Sequence, residues 1–447
     1  MLRVTPNALE EDWMEKFLRW SAGLVVLALI LAACQPSASE SPMESAAASV
    51  ADPAAACEAL PEGCFEVAPG DPIRIASALS ISGAPASLGN DSNFGIDVAQ
   101  AERGQVLGRD TDVVHEDAGC GDAASGQTAA QAIVADPTIL AVIGTSCSRT
   151  AVPAMPPLEE AGLIMISPSN TAPGLTNPDH EDYLGTSYFR TAYNDRVQGA
   201  AVALFACEEL GVTTAATIHD GSPYADQLQQ VFVEQFAEIC GGTTTAQEAI
   251  NIGDTDFRPV LTTIAADSPE VLFFPIFEPE GNAIIAQWDE VPGLADTIPI
   301  SADGLKTGTF LEANGLEAQA LGAYFSGPDL NFGDRYQNDF LPAYYKLSGT
   351  DVTLSAYHAH GYDAFNILMD AVVAAEVGES ADGTLYISKA GIREYVAGLT
   401  DFDGLTGVLT CDEFGDCGSE EVSIAEIGTN AQGNLDYLEV FTTRSGQ

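Results

Sequence analysis

The chemistry this chain could do rests on hydroxyl groups at strand ends, on nine cysteines and on a few histidines and acids beside turns. Ile139–Gly144 (ILAVIG) is an apolar strand ending in Gly144-Thr145-Ser146, and a helix starts soon after Cys147. A helix N-terminus presents unpaired N–H groups and about half a positive charge, so it is a ready site for a carboxylate. Ser148 stands in this N-cap region, where its hydroxyl either caps the helix or donates to an anion. Pro168-Ser169-Asn170-Thr171 follows the next strand end and should lie beside Ser148; alone, it reads as a Ser/Asn turn. His358 and His360 fall on a predicted helix, where positions i and i+2 do not share a face, so they read as core or helix-end residues rather than chelators. Asp412-Glu413 and Asp416, between Cys411 and Cys417, are a faint calcium-loop pattern that a disulfide-closed hairpin accounts for better. The chain has no C-x-x-C or Cys/His cluster for a metal, and no G-x-S-x-G, P-loop or G-x-G-x-x-G. No catalytic residue, metal or cofactor is therefore expected, and the chain is not read as an enzyme.

The front of the chain reads as an export signal. Ser21–Ala33 is apolar for 13 residues, short of the roughly 20 that span a bilayer but suited to a secretory h-region. Lys16 and Arg19 supply a basic n-region, whereas Glu10, Glu11 and Asp12 do not suit one, so translation is expected to start at Met14. Leu31-Ala32-Ala33-Cys34 resembles the bacterial lipobox, which implies loss of residues 1–33 and lipidation of Cys34, with acyl chains enough for stable membrane anchoring. No later segment is long and apolar enough for a membrane helix, so the remainder is expected to be soluble and extracytoplasmic, in a periplasm or on the outer cell surface. Eight cysteines remain after Cys34, an even number that in an exported protein reads as disulfides. Their grouping favours Cys57–Cys64, Cys120–Cys147, Cys207–Cys240 and Cys411–Cys417, which makes Cys147 a bonded residue rather than a nucleophile.

Composition narrows the partners. The 447 residues carry 65 Asp+Glu against 16 Lys+Arg, a net charge of −49, with 46% hydrophobic residues. That excess of carboxylates argues against nucleic acid and against electrostatic docking on anionic lipid. The hydrophobic share is enough for real cores, so the acidity belongs to a folded, soluble protein.

The elements that must position these groups alternate. Residues 35–56 form a Ser/Ala/Pro/Glu tether, and Cys57–Asp71 a small stapled loop. Strands are expected at Ile73–Ser80, Asp112–Asp117, Ile139–Gly144, Leu163–Ser167 and Tyr188–Ala192, with helices at 90–103, 123–135 and 151–161. A second array follows. Its helices fall at 195–210, 223–239, 256–266 and 280–290, and its strands at Ala215–His219, Thr243–Ile250, Val271–Ile276 and Thr297–Ser301. Such alternation gives βαβ units and mainly parallel sheets. Helices at 334–347, 356–376 and 388–398 come next. The Gly-rich Phe402–Gly407 stretch is a candidate hinge crossing, and a hairpin-like region closes the chain.

An ordered series of motifs resembles the Leu/Ile/Val-binding (type I) periplasmic binding proteins, the extracytoplasmic solute receptors of ABC transporters. It comprises Leu79–Gly83 with Leu88-Gly89-Asn90, Val142–Ser148 with Val152-Pro153-Ala154, and Ile166–Pro173. It continues with Phe189-Arg190-Thr191, His219-Asp220 with Tyr224, Pro275 with Pro279-Glu280, and Ala302-Asp303-Gly304. The resemblance runs from about Ile73 to the C-terminus. It implies an α/β protein of two Rossmann-like lobes, each a mostly parallel sheet flanked by helices, joined by a three-strand hinge and closing on a ligand. The lobes would be 71–193 with 327–403, and 194–326 with 404–447. It also implies that Ser148, Ser169 and Thr171 hold a ligand carboxylate, that Asp303 holds an α-ammonium, and that Tyr224 reaches the ligand.

The sequence departs from the family pattern in places. Leu88 stands where several members place a tyrosine over the ligand. Phe277-Glu278 stands where aromatic residues are common, and Glu278 reads either as a solvated residue or as an acceptor for a polar or cationic ligand group. The zwitterion end of an amino-acid site is kept while the side-chain end differs. The resemblance thus implies a monomeric, lipid-anchored receptor of an ABC permease and its ATPases, for an amino acid or a related small carboxylate. The alternatives are a sensor of the same fold, or a receptor for an amide, urea or another small metabolite.

Overall fold

The computed structural model describes residues 52–430 and 433–444; the expected signal segment, Cys34 and residues 35–51 of the expected tether lie outside them. The first array consists of α1 (Pro53–Glu58), β1 (Cys64–Val67), β2 (Ile73–Leu79), α2 (Ala86–Arg103) and β3 (Thr111–Asp117). It continues through α3 (Ala123–Val134), β4 (Ile139–Gly144), α4 (Ser148–Glu160), β5 (Met165–Ser167) and β6 (Tyr188–Arg190). Strands β2 to β6 form a five-stranded parallel sheet in the order β3-β2-β4-β5-β6. All six residues of β4 are buried, whereas β3 at the edge is half-exposed. This is the pattern of a parallel sheet covered by helices on both faces.

The second array holds α5 (Asp195–Leu204), β7 (Thr214–His219), α6 (Pro223–Cys240), β8 (Thr243–Ala249), α7 (Arg258–Ala265) and β9 (Val271–Phe273). After it come α8 (Glu280–Gln287), β10 (Ile298–Ser301), α9 (Gly308–Ala320) and β11 (Tyr324–Pro328). The remaining elements are α10 (Leu341–Ser348), α11 (His358–Ala374), β12 (Glu376–Glu379), β13 (Leu385–Ser388) and α12 (Lys389–Ala397). Short β14 (Phe402–Asp403) and β15 (Val408–Leu409) precede β16 (Val422–Thr429) and β17 (Leu435–Thr442). The second sheet has seven strands in the order β17-β16-β11-β10-β9-β7-β8, parallel except for the β16–β17 hairpin. Each sheet has its own core. One runs through Ile75, Val142, Ile166 and Phe365, the other through Ile218, Phe232, Phe273 and Phe325.

The elements differ from the sequence expectation where tertiary packing decides. The helix expected over 151–161 starts at Ser148, and the one expected over 195–210 becomes π-helical from Phe205 to Glu209. The stapled loop is a short helix and a strand: β1 pairs with β13, which pairs with β12, in a small three-stranded sheet. The Phe402–Gly407 stretch is no crossing. It is the β14–β15 hairpin, whose Leu405 and Leu409 are buried in the first core, and the chain joins the second sheet only at Val422. Phe402, Leu405 and Leu409, on both sides of the boundary expected at 403/404, and Cys417 after them all pack in the first core. Four disulfides are formed: Cys57–Cys64, Cys120–Cys147, Cys207–Cys240 and Cys411–Cys417.

Candidate ligand-binding site

Parallel strands β4 and β5 end side by side, so the loops after them meet. Ser169 Oγ donates to Ser146 O (3.0 Å), Ser148 Oγ accepts from Ala172 N (3.3 Å), and Ser167 Oγ donates to Thr145 O (2.8 Å). These bonds fix Ser148, Ser169 and Thr171 as one buried group. Ser148 is the first residue of α4 after Cys147, and no side chain caps that helix N-terminus. Cys120–Cys147 ties the same point to the loop after β3.

The second sheet contributes Asp303, at the start of a 3-10 turn just after β10. Its Oδ1 accepts from Tyr224 OH (2.8 Å) and Gln198 Nε2 (2.9 Å), and its Oδ2 accepts from Tyr357 OH (3.0 Å). Tyr193 OH joins them, 3.2 Å from Tyr357 OH and 3.0 Å from Gln198 Oε1. Tyr357 directly precedes α11, which packs in the first core, so its bond to Asp303 links the two bodies. Ser87 Oγ to Thr309 Oγ1 (2.9 Å) and Gly308 N to Leu354 O (3.0 Å) do the same.

Asp195, the first residue of α5, is the group that sequence reasoning missed. It is 0% exposed, and neither carboxylate oxygen has a hydrogen-bond partner. Burial, and then the charge of Asp303, push the Asp195 carboxyl well above the usual range. The Thr171 hydroxyl, itself fully buried and outside hydrogen-bond geometry, is the donor nearest to it, and Thr171 and the more distant charge of Arg190 both pull that carboxyl down. Burial also raises Asp303, against the pull of its donors Gln198, Tyr224 and Tyr357.

An apolar wall completes the arrangement. Leu88, Cys120, Cys147, Ala192, Ala356 and Tyr357 form one buried cluster with Phe277 and Leu330 packed against it. The Phe277 ring lies 4.8 Å from that of Tyr224. Glu278 is not solvated: it is buried, with Oε1 accepting from Thr307 (2.5 Å) and Thr309 (2.7 Å) and Oε2 from Asn282 Nδ2 (3.0 Å). Oε1 is thus committed to the start of α9 and Oε2 to α8. His358 pairs with Asp91 in the first core (Nδ1 to Oδ2, 3.0 Å), and Asp416 pairs with Arg190. Among the described residues there is no group of three or more metal-ligating side chains.

Two α/β bodies thus meet beside strand-end loops that carry a bare helix N-terminus and the buried carboxylates of Asp195 and Asp303, the arrangement of a solute-binding fold. The chain belongs to the periplasmic binding protein family, which matches residues 72–428, and is of the Leu/Ile/Val-binding type I kind. The Leu/Ile/Val-binding protein BraC3 of Rhizobium johnstonii is 27% identical over 346 residues, 76% of this chain and 90% of its own. A Leu/Ile/Val-binding protein homolog of Brucella abortus is 25% identical, over 74% of this chain and 86% of its own. The structure of the leucine-binding protein LivK from Thermotoga maritima superposes with a TM-score of 0.72 at 24% identity, covering 83% of this chain and 99% of that one. A solute-binding protein from Rhodopseudomonas palustris in complex with p-hydroxybenzoic acid gives 0.71 at 19% identity, covering 84% and 98%. Members of this family are extracytoplasmic solute-binding proteins rather than enzymes. No described helix is long and apolar enough to cross a membrane.

Proposed function

We propose that this chain is the lipid-anchored receptor of an ABC importer and encloses an α-amino acid between two lobes for delivery to a permease driven by ATPases. One lobe would comprise residues 71–193 with 330–417, the other 194–329 with 418–444, and Cys34 would carry the anchor. The ligand carboxylate would meet the N-terminus of α4 with Ser148, Ser169 and Thr171, and its ammonium would meet Asp195 and Asp303. Tyr224, Tyr357, Leu88 and Phe277 would enclose the remainder.

The single observation that carries this reading is Asp195, a fully buried carboxylate with neither oxygen in a formed hydrogen bond and, among the described residues, no cation in salt-bridge contact. Such a group is costly unless a cation joins it, and a ligand ammonium is a cation of the right size. The same point weighs against aromatic acids of the kind bound by the Rhodopseudomonas protein, which would bring an anion and leave Asp195 bare. The apolar wall favours an aliphatic or aromatic side chain over a charged one.

A thermal-shift screen of the protein with its disulfides intact tests this. The panel would hold L-leucine, L-valine, L-phenylalanine, L-lysine, p-hydroxybenzoate and simple amides. A ligand at one hundred times its dissociation constant stabilises the folded form by about 2.7 kcal/mol. The expected outcome is stabilisation by apolar amino acids and none by p-hydroxybenzoate; the reverse ranking would overturn the amino-acid reading.

A further inference from the structure

Asp195 and Asp303 approach one locus from different elements: Gln198, one turn after Asp195 on α5, donates to Asp303 (2.9 Å), and Asp195 feels the charge of Asp303. Among the described residues, the cations near them are already engaged. Arg190, on β6, has its guanidinium on Asp416, Asn170 O, Ala172 O and Thr176. Lys306, on the turn after Asp303, sends Nζ to Ser423 Oγ (3.3 Å) and Pro328 O (3.5 Å), and feels the charges of Asp329, Glu439, Asp303 and Asp436. The other titratable groups facing the pair are tyrosines: Tyr193 beside α5, Tyr224 on α6 and Tyr357 before α11. Burial raises all three well above the ordinary phenol value, so none carries charge near neutral pH.

Two buried carboxylates with no cation in salt-bridge contact, and only the engaged Arg190 and Lys306 at longer range, cannot both stay ionised at low cost. The partners decide which one keeps the charge. Asp303 has three donors at 2.8–3.0 Å, whereas Asp195 has no formed hydrogen bond and only the Thr171 hydroxyl nearby. Protonating Asp195 turns one of its oxygens into a donor, and the unpartnered Thr171 hydroxyl nearby can accept it.

We propose that binding at this site is an exchange of a cation for a proton: Asp195 is a neutral acid in the ligand-free protein, and an arriving ligand ammonium displaces its proton to water. The O–H bond of Asp195 breaks, the proton leaves to solvent or buffer, and the carboxylate accepts an N–H of the ammonium. The charge at the locus is then one carboxylate before binding and two carboxylates with one cation after it. This deepens the amino-acid reading above and rests on it.

Linkage sets the consequence. Release of one proton makes affinity rise about tenfold per pH unit below the titration of the neutral acid, as long as the ligand amine stays protonated. A receptor working in an acidifying medium would thus let go of its ligand more readily.

Two measurements on the whole protein test this, with L-leucine as the probe. Infrared spectroscopy of the ligand-free protein at neutral pH should show a protonated carboxyl band that is missing in Asp195→Asn and lost when L-leucine is added. Titration calorimetry in buffers of different ionisation enthalpy should count one proton released per L-leucine bound, and affinity should rise about tenfold between pH 6 and 7. The calorimetric count needs no variant, so it stands even if Asp195→Asn does not fold. A wild-type protein without the band, or L-leucine binding with no proton released, overturns the exchange. Retention of the neutral-acid band with binding of p-hydroxybenzoate but not L-leucine would overturn the amino-acid reading, and the exchange with it, while leaving the neutral Asp195 as observed.

Discussion

Replacing Asp416 by Asn should destabilise the protein well beyond an ordinary polar substitution. Arg190 is fully buried, and its guanidinium donates to Asp416 Oδ1 (2.5 Å), Ala172 O (2.9 Å), Asn170 O (3.2 Å) and Thr176 Oγ1 (2.8 Å). It is therefore the strut that holds the Ser169–Thr171 loop. Asp416 supplies its only counter-charge within salt-bridge distance among the described residues, and also accepts from Asn194 Nδ2 (2.8 Å). Breaking a buried ion pair from one side costs about 3–5 kcal/mol. The Asp416 side chain is 24% exposed, so water offsets part of the loss and about 2–4 kcal/mol is expected. The assay is urea unfolding with disulfides intact, on Asp416→Asn, Arg190→Met and the double variant. The double variant should lose less than the sum of the singles by about 2 kcal/mol or more, because it leaves no buried charge bare. Burial alone would raise the Asp416 carboxyl, but Arg190 and the bonds from Asn194 and Thr176 hold it below the usual range. A depressed carboxyl gives stability that is present above its unfolded pKa and lost as pH falls through the folded one. The wild-type advantage should therefore persist at neutral pH and fade only below about pH 4. A loss under about 0.5 kcal/mol for Asp416→Asn, or additive singles, would refute the strut.

Two further outcomes follow from the same kind of reasoning. Cys120→Ser with Cys147→Ser opens a loop of 27 residues next to Ser148, which chain entropy sets at about 3.5 kcal/mol. Unfolding should show that loss together with weaker binding of whichever amino acid the thermal screen identifies, and binding that stays unchanged would show that the bond does not position α4. Asp363 is buried and accepts from Leu405 N (2.6 Å), Thr406 N (2.9 Å) and Thr406 Oγ1 (2.6 Å); burial pushes its carboxyl up to about 6 despite those bonds. A raised carboxyl works in the opposite sense to Asp416, because the folded state holds the proton more tightly than the unfolded one. Wild type should therefore lose about 2–3 kcal/mol relative to Asp363→Asn as pH rises from about 4 to about 6, and a pH-independent difference between the two in unfolding experiments would contradict it.

The frame of the protein was legible because burial leaves a period in the residues. Ile139–Gly144 is apolar at every position and lies buried in its sheet, while the mixed pattern of Thr111–Asp117 marks an edge. What was not legible depends on partners distant in sequence. Nothing in Cys64–Val67 announces that it will pair with Leu385–Ser388. The glycines of Phe402–Gly407 signal a turn, but only the burial of Leu405 and Leu409 and the grip of Asp363 show that the turn belongs to the first core. Asp195 carried a misleading signal. It follows Asn194, whose side chain accepts from Arg196 N, so the pair reads as a helix cap with a favourable acid in the first turn. That it is a buried carboxyl with no formed hydrogen bond emerges only once the fold encloses it beside Asp303.

Tyr357 shows how the core of one body sets the geometry of the site. Asp91 is fully buried on α2 and accepts from Leu354 N (3.1 Å), Tyr357 N (2.9 Å), His358 Nδ1 (3.0 Å) and Tyr344 OH (2.6 Å). Burial would raise its carboxyl, but His358 and the hydroxyl and amide donors outweigh that and hold it below the usual range. Helices α2 and α11 meet where Gly95 lies against His358 O, so close that a Cβ there would stand 1.8 Å from that oxygen. Only glycine permits this approach, and it brings Asp91 within reach of the segment before α11. The Tyr357 hydroxyl is thus aimed at Asp303 by a polar network inside the first core, not by the surface of the cleft. A substitution at Gly95, far from any ligand atom, should misplace that hydroxyl and weaken the contact between the bodies, whereas Tyr357→Phe would remove the bond and keep the wall.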